Sequence, residues 1–144
     1  MLIAHVLRDK GVEIYAIPTE ATLEEAAREL HTRKVGSLVI LDAEAAPVGV
    51  LSERDIIREI ARRGASCLGD SVGATMTRGV ITASPLETID DCLGRMTDRR
   101  VRHLPVIDEE GRLIGVVSIG DLVKMRILDA ESRAAAMEAY IATG

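Results

Sequence analysis

A chain of 144 residues that is 47% apolar can build one compact domain or two small halves sharing a core, but with no Phe and no Trp that core must be Val, Ile, Leu, Ala and Met. With Tyr15 and Tyr140 as the only aromatics and a net charge of −5, base stacking of nucleic acid and general affinity for phosphate backbones are both disfavoured, so any anion site must be local. No run of about 18 apolar residues exists, which argues against a membrane-spanning helix.

Residues 1–11 are weakly marked: Leu2, Ile3, Val6 and Leu7 suit a short amphipathic turn, and Arg8, Asp9 and Lys10 break any apolar run, so no signal peptide is expected. Val12 to Ile17 alternates apolar and polar residues and reads as a short strand ended by Pro18. Thr22-Leu23-Glu24-Glu25 has the form of a capping box, and Leu23, Ala26, Ala27 and Leu30 follow at helical spacing, predicting a helix to about His31–Arg33. Val35 to Leu41 is a dense apolar run too short for a helix and reads as a buried strand. Asp42 to Pro47 is a turn, and Val48 to Leu51 the next strand. Ser52 caps a helix carrying Ile56, Ile57 and Ile60, which ends before Gly64, and residues 64–71 read as a linker.

The second half repeats this order. Val80–Ala83 is predicted as a strand, Thr88 as a helix cap followed by Ile89, Cys92, Leu93 and Met96, Val101 to Ile107 as a buried strand, and Leu113 to Val117 as its return. A last helix from Ser118–Gly120 extends to Met137 or Tyr140. Its C-terminal part carries a loose stripe of Leu128, Ala135, Met137 and Ile141, which suits a cap over the core or a dimer contact. Gly49-Val50-Leu51-Ser52-Glu53-Arg54-Asp55 returns 66 positions later (115 − 49) as Gly115-Val116-Val117-Ser118-Ile119-Gly120-Asp121, and the register runs without gaps from Tyr15 onward. The lead-in at Ile3 matches Val72 at an offset of 69 instead (72 − 3). The expected fold is therefore α/β of the α+β kind: two β-α-β-β-α repeats over 1–66 and 67–128, related by a pseudo-twofold axis and packed sheet against sheet, with a C-terminal helix over 129–144. That arrangement leaves two related clefts.

Both Ser-x-x-Asp pairs have a structural reading: Ser52 and Ser118 cap helices, and Asp55 and Asp121 suit the positive helix end. The same atoms fit an anion and ribose site, because a helix N-terminus beside a hydroxyl binds anions and a carboxylate one turn on accepts ribose hydroxyls. Arg33-Lys34 and Arg99-Arg100-Arg102 either complement helix C-termini or draw phosphates toward the clefts. Cys67 and Cys92 lack metal-type spacing, and buried reduced thiols are expected, which suits a cytoplasmic location. His5, His31 and His103 lack ligand spacing, so no metal is expected. Neither a Walker loop nor GxGxxG is present. Ser118 with His103 is the one conceivable nucleophile–base pair and lacks an orienting acid, so catalysis is not expected.

The order Thr82-x-x-Pro85-x-x-Thr88, Arg102-His103-Leu104-Pro105-Val106-Ile107-Asp108, Gly115-Val116-Val117-Ser118-x-x-Asp121 resembles a CBS domain. The first half follows it as Pro18, Thr22, Val35-Gly36-Ser37-Leu38 and Gly49-Val50-Leu51-Ser52-x-x-Asp55, so the whole is similar to a small standalone CBS pair, or Bateman module. The resemblance implies a regulatory, non-catalytic homodimer that binds an adenine nucleotide, AMP or NAD(H) first among them, between the repeats and signals to an effector protein. It also implies roles: Asp121 on the ribose, Ser118 on phosphate with Gly120 leaving the approach open, and Thr82 with His103, Leu104 and Pro105 around the adenine, with Arg102 a further nucleotide-binding residue. Gly36, Ser37, Ser52, Arg54 and Asp55 would form the first-copy counterpart. There Ala16, Val39 and Arg54 stand where the second copy has Thr82, Pro105 and Gly120, so the second cleft is expected to be the better site, unless Arg54 reaches a phosphate.

Overall fold

The computed structural model describes residues 1–11 and 14–143. Val12 and Glu13, the start of the first predicted strand, lie outside the described residues. The chain runs α1 (Ile3–Lys10), β1 (Ala16–Pro18), α2 (Leu23–Arg33), β2 (Ser37–Leu41), β3 (Pro47–Ser52), α3 (Glu53–Arg63), α4 (Val72–Thr75), α5 (Ile89–Arg99), β4 (His103–Ile107), β5 (Leu113–Ser118) and α6 (Ile119–Thr143). This is the expected mixed α+β pair of repeats, complete as β-α-β-β-α in the first half and with the opening strand of the second reduced.

The local reasons repeat at the same offset. Thr22 Oγ1 accepts from the Glu25 N–H and Thr88 Oγ1 from the Asp91 N–H, each at 3.1 Å, so α2 and α5 start on matching caps. Both end on a left-handed residue, Lys34 and Arg100, whose N–H turns back to the last turn. β2–β3 and β4–β5 are antiparallel pairs in matching register, Ser37 against Ser52 and His103 against Ser118. Leu38 and Ile40 enter one core cluster, Leu104 and Val106 the other. Alternation places Ser37, Val39, Val50 and Ser52 on the opposite sheet face, and His103, Pro105, Val116 and Ser118 on the corresponding face of the second sheet.

The lead-in segments cross over. Ile3, Val6 and Leu7 of α1 are buried in the core of the second half, and Val72 and Met76 in that of the first. The backbone bonds match pair for pair: Ile3 N–H to Glu87 O (2.9 Å) with Val72 N–H to Ala21 O (2.7 Å), and Ala4 N–H to Pro85 O (2.9 Å) with Gly73 N–H to Thr19 O (3.1 Å). The offset of 69 in the lead-ins is thus a register of contacts. Each buried Val, Leu or Ile contributes about 1.5–3 kcal/mol, so the exchange ties the halves together.

Four expectations need correction. The strand at Val80–Ala83 shrinks to one parallel bridge, Ala83 with Val106. In the first half the Val39 N–H donates to the Tyr15 carbonyl at 3.0 Å. Pro105 stands at the Val39 position and has no N–H, so the ladder stops there and Ile81 O receives no such bond. The predicted linker contains a 3-10 helix at Ala65–Gly69, because Cys67 is buried in the first core. Cys67 and Cys92 are both free and buried. The C-terminal part of α6 does not cap a core: every residue from 130 to 143 is exposed. Finally, the cores are separate clusters; among the described residues the halves are bonded through the crossed lead-ins and a 3.0 Å bond from Leu113 N–H to Ala45 O.

An ion pair compensates for the truncated strand. Arg95 Nη1 donates to the Thr82 carbonyl at 2.8 Å and to Glu87 Oε1 at 3.0 Å, Arg95 Nη2 also meets Glu87 Oε2, and Glu87 Oε1 accepts the Ser84 N–H at 2.8 Å. The Arg95 hydrogen bonds hold the Glu87 carboxyl below its ordinary value of 4.5, against a smaller upward push from burial. Arg95→Ala is expected to lower stability by about 1–3 kcal/mol at neutral pH. Because the folded-state pKa of Glu87 is depressed, this contribution is complete above pH 4.5 and is lost as pH falls through the folded pKa. Denaturant melts of parent and variant should therefore draw closer in acid, leaving the share of the bond to the Thr82 carbonyl; a gap that does not narrow would take the Glu87 pair out of the account.

Candidate functional site

The two helix mouths are built alike. Ser118 ends β5, its Oγ accepts the Asp121 N–H at 3.1 Å, and Asp121 Oδ2 accepts the Ser118 N–H at 2.9 Å. Ser52 and Asp55 repeat this at 3.2 and 2.9 Å. The capping reading is therefore realised at both copies, and it leaves each serine hydroxyl proton and one oxygen of Asp121 outside the cap.

The surroundings differ. Lys10, at the end of α1, places its Nζ 2.6 Å from Asp121 Oδ2 and 2.9 Å from the Val116 carbonyl. Asp55 Oδ1 is met instead by Arg58 Nη1 at 3.1 Å, and Asp55 is buried. Partial burial pushes the Asp121 carboxyl up, but Lys10 and the Ser118 N–H and hydroxyl outweigh it and hold the group below its ordinary value. His103 is lowered by partial desolvation and by the Lys10 ammonium, with Asp121 opposing and Arg102 adding to the effect. A carboxylate, an ammonium and an uncharged imidazole thus share one mouth at neutral pH.

The second-copy residues come together along β4, β5 and the start of α6. The Arg102 carbonyl accepts the Ile119 N–H at 2.8 Å, as Gly36 O accepts the Glu53 N–H at 3.0 Å. His103 lies opposite Ser118, and Pro105 is buried beside Val116 on the same sheet face. A β-carbon on Gly120 would stand 3.7 Å from Ser118 Oγ, so the glycine keeps the hydroxyl uncovered, where Arg54 flanks Ser52 in the first copy. Leu104 is fully buried in the core, which leaves only its backbone for a ligand. Thr82 follows Ile81, whose carbonyl receives no N–H from Pro105, and lines a groove of about 580 Å3 against α5, with Asp90, Asp91, Arg95 and Asp98. Gly36 lines a second groove of about 680 Å3 at the end of α2, with Lys34 and Glu53. Ser37, Ser52, Arg54, Asp55, Ser118 and Asp121 line neither groove.

Sequence reasoning missed Lys10. Nothing in its neighbourhood marks it, because its place at Asp121 exists only once α1 has crossed to the second half. Among the described residues, no group of three or more His, Cys, Asp or Glu is placed to hold a metal ion, and no helix is long and apolar enough to cross a membrane.

Fold and mouths together define a tandem repeat module with one hydroxyl-and-carboxylate helix start per repeat. The CBS domain family model matches residues 7–62 and 71–127, and the chain belongs to that family. A mitochondrial CBS domain-containing protein of Arabidopsis thaliana is 35% identical over 130 residues, covering 88% of this chain and 63% of its own length. The chain spans 55–66% of the first three curated relatives that it matches. An inosine-5'-monophosphate dehydrogenase of Methanocaldococcus jannaschii matches over only 22% of its length, at 27% identity and 79% of this chain. Among solved structures, a CBS-domain protein of Agrobacterium tumefaciens is 38% identical with a TM-score of 0.75, covering 87% of this chain and 92% of that one. A CBS domain protein of Pyrobaculum aerophilum complexed with AMP is 29% identical (TM-score 0.73; 84% and 89% covered). A CBS domain pair in complex with 5'-methylthioadenosine and S-adenosyl-L-methionine is 25% identical (TM-score 0.73; 87% and 94% covered).

Proposed function

We propose that this chain is a non-catalytic regulatory module that binds an adenosine ligand at the Ser118–Asp121 mouth, AMP first and NAD(H) second. In this reading it acts as a homodimer whose ligand state is read by an effector protein. The observation that carries the reading is that Asp121 and Lys10 meet at the start of α6 beside Ser118 and His103, which lie on the sheet face opposite the core. AMP, methylthioadenosine and S-adenosylmethionine, the ligands of two structural neighbours, share adenosine and little else. Adenosine is what these residues suit: the free Asp121 oxygen accepts a ribose hydroxyl, Pro105 and Val116 offer apolar contact to the base, and Ile81 O accepts from an exocyclic amine. The Ser118 hydroxyl and the α6 N-terminus suit one phosphate, which favours AMP over longer tails.

Thermal shift with AMP, NADH, ATP and S-adenosylmethionine tests this, since a ligand selective for the native state must raise the melting temperature. A panel without any shift would favour the alternative for which both capping boxes speak, a ligand-free interaction scaffold in which serine and aspartate only start helices. Lys10 adds a finer test. It pairs with Asp121 in the free protein, and a bound phosphate would draw it away. Lys10→Ala should therefore weaken AMP about 3- to 10-fold, the ordinary size of one partly exposed charged hydrogen bond, and leave adenosine nearly unchanged. Equal losses for both ligands would remove the phosphate role.

A further inference from the structure

Helix α6 has 25 residues where its counterpart α3 has 11, and from residue 130 onward it touches no core. The overhang extends about 20 Å into solvent at 1.5 Å per residue. A lone helix of that length is marginal in water even when rich in alanine.

Val123, Ile127, Ala130, Ala134, Met137 and Ile141 recur at steps of 4, 3, 4, 3 and 4, the heptad seam of a two-stranded coiled coil, and all six are exposed. The seam lies about 100° around the helix from buried Leu122, so the first half of α6 can pack on its own repeat while this side stays open. Arg126 and Arg133 flank the seam on one side, Glu131 and Glu138 on the other. Paired in parallel with itself, the helix brings Arg126 to Glu131 and Arg133 to Glu138 of the other copy, twice over by symmetry. Paired antiparallel, it brings arginine flank to arginine flank and glutamate to glutamate. Among the described residues of one chain these arginines pair with Asp90 and Asp129, at the surface, where such pairs contribute little and are easily exchanged. Ala130 and Ala134 let the two backbones approach closely.

We propose that the free part of α6 pairs in parallel with the same segment of a second copy of this chain, forming a coiled coil that holds the dimer. This rests on the homodimer part of the function proposed above and not on its ligand.

Light scattering on the full chain should give twice the 15.5 kDa of one copy. Met137→Asp with Ile141→Asp, both on an exposed face and therefore harmless to folding, should give a single copy. Arg133→Glu alone should weaken the dimer, and Arg133→Glu combined with Glu138→Arg should restore it. Ile141→Cys should form a disulfide with itself on oxidation, since only a parallel register sets position 141 beside its own copy. A monomeric parent would overturn the homodimer reading and this proposal together. A dimer that survives the double aspartate variant, or an Ile141→Cys variant that does not cross-link, would overturn the coiled coil alone.

Discussion

Asp121→Asn is expected to weaken AMP binding by about 1.5–3 kcal/mol, or about 10- to 150-fold in Kd, the range for a hydrogen bond to a charged group. Asparagine is the informative replacement. Its side-chain carbonyl still accepts the Ser118 N–H, and the Asp121 N–H still meets Ser118 Oγ, so the helix start survives. What disappears is the anionic oxygen offered to the ribose and the pair with Lys10, whose side chains are 27% and 32% exposed. A pair still about a third exposed contributes about 1 kcal/mol, so the melting temperature should change little while affinity falls. The matched control is Asp55→Asn. Asp55 already spends its second oxygen on Arg58, and Arg54 replaces the glycine that keeps the other mouth open, so its effect on AMP should be smaller. Titration calorimetry decides: parent and Asp121→Asn with the same Kd would take the ribose role from Asp121, whatever the fate of the first copy.

Most of the fold was legible because its signals are local. Thr22 and Thr88 announce helix starts, Ser52 and Ser118 do so through reciprocal bonds to a residue three positions on, and the offset of 66 carries each expectation to a second, independent test. Legibility ended where a distant partner decides. Pro105 in place of Val39 was visible, but its consequence, a strand reduced to one bridge, depends on what would have lain alongside. The crossing of α1 and α4 left only an offset of 69 among the lead-ins, and without the crossing neither Lys10 at Asp121 nor Leu7 at Gly115 could be foreseen. For the site, the sequence located the Ser-x-x-Asp mouths but not their contents: the capping bonds, the Lys10 ammonium and the burial of Leu104 are properties of the assembled sheet. The last helix was legible as helix and not as exposed, because alanine-rich periodicity suits a core-facing cap and a free seam equally well.

The glycines that open the repeated motif yield a large expected effect on stability. A β-carbon on Gly49 would fall on Met76 Sδ, 2.7 Å from its Cγ and 3.1 Å from its Cβ. Met76 has no room to withdraw: it is 9% exposed, its N–H is bonded to Val72 O at 2.8 Å, and its neighbour Thr77 exchanges bonds of 3.0 and 3.1 Å with Val50. Gly49→Ala should therefore lower stability by about 1–3 kcal/mol, the ordinary cost of overpacking a filled core. At Gly115 the obstruction is Leu7 Cδ2 at 2.6 Å, the far end of a side chain as buried as Met76 but with its Cγ at 3.5 Å, so Gly115→Ala should cost somewhat less. The mechanism separates from a general intolerance of strand glycines through a double-mutant cycle. Met76→Ala alone removes a buried side chain and should cost about 2–5 kcal/mol. Adding Gly49→Ala to it should cost almost nothing, because the new methyl enters the vacated space, which gives a coupling of about 1–3 kcal/mol between the two sites. Strictly additive denaturant midpoints would mean that the glycine answers to strand geometry and not to the incoming lead-in segment.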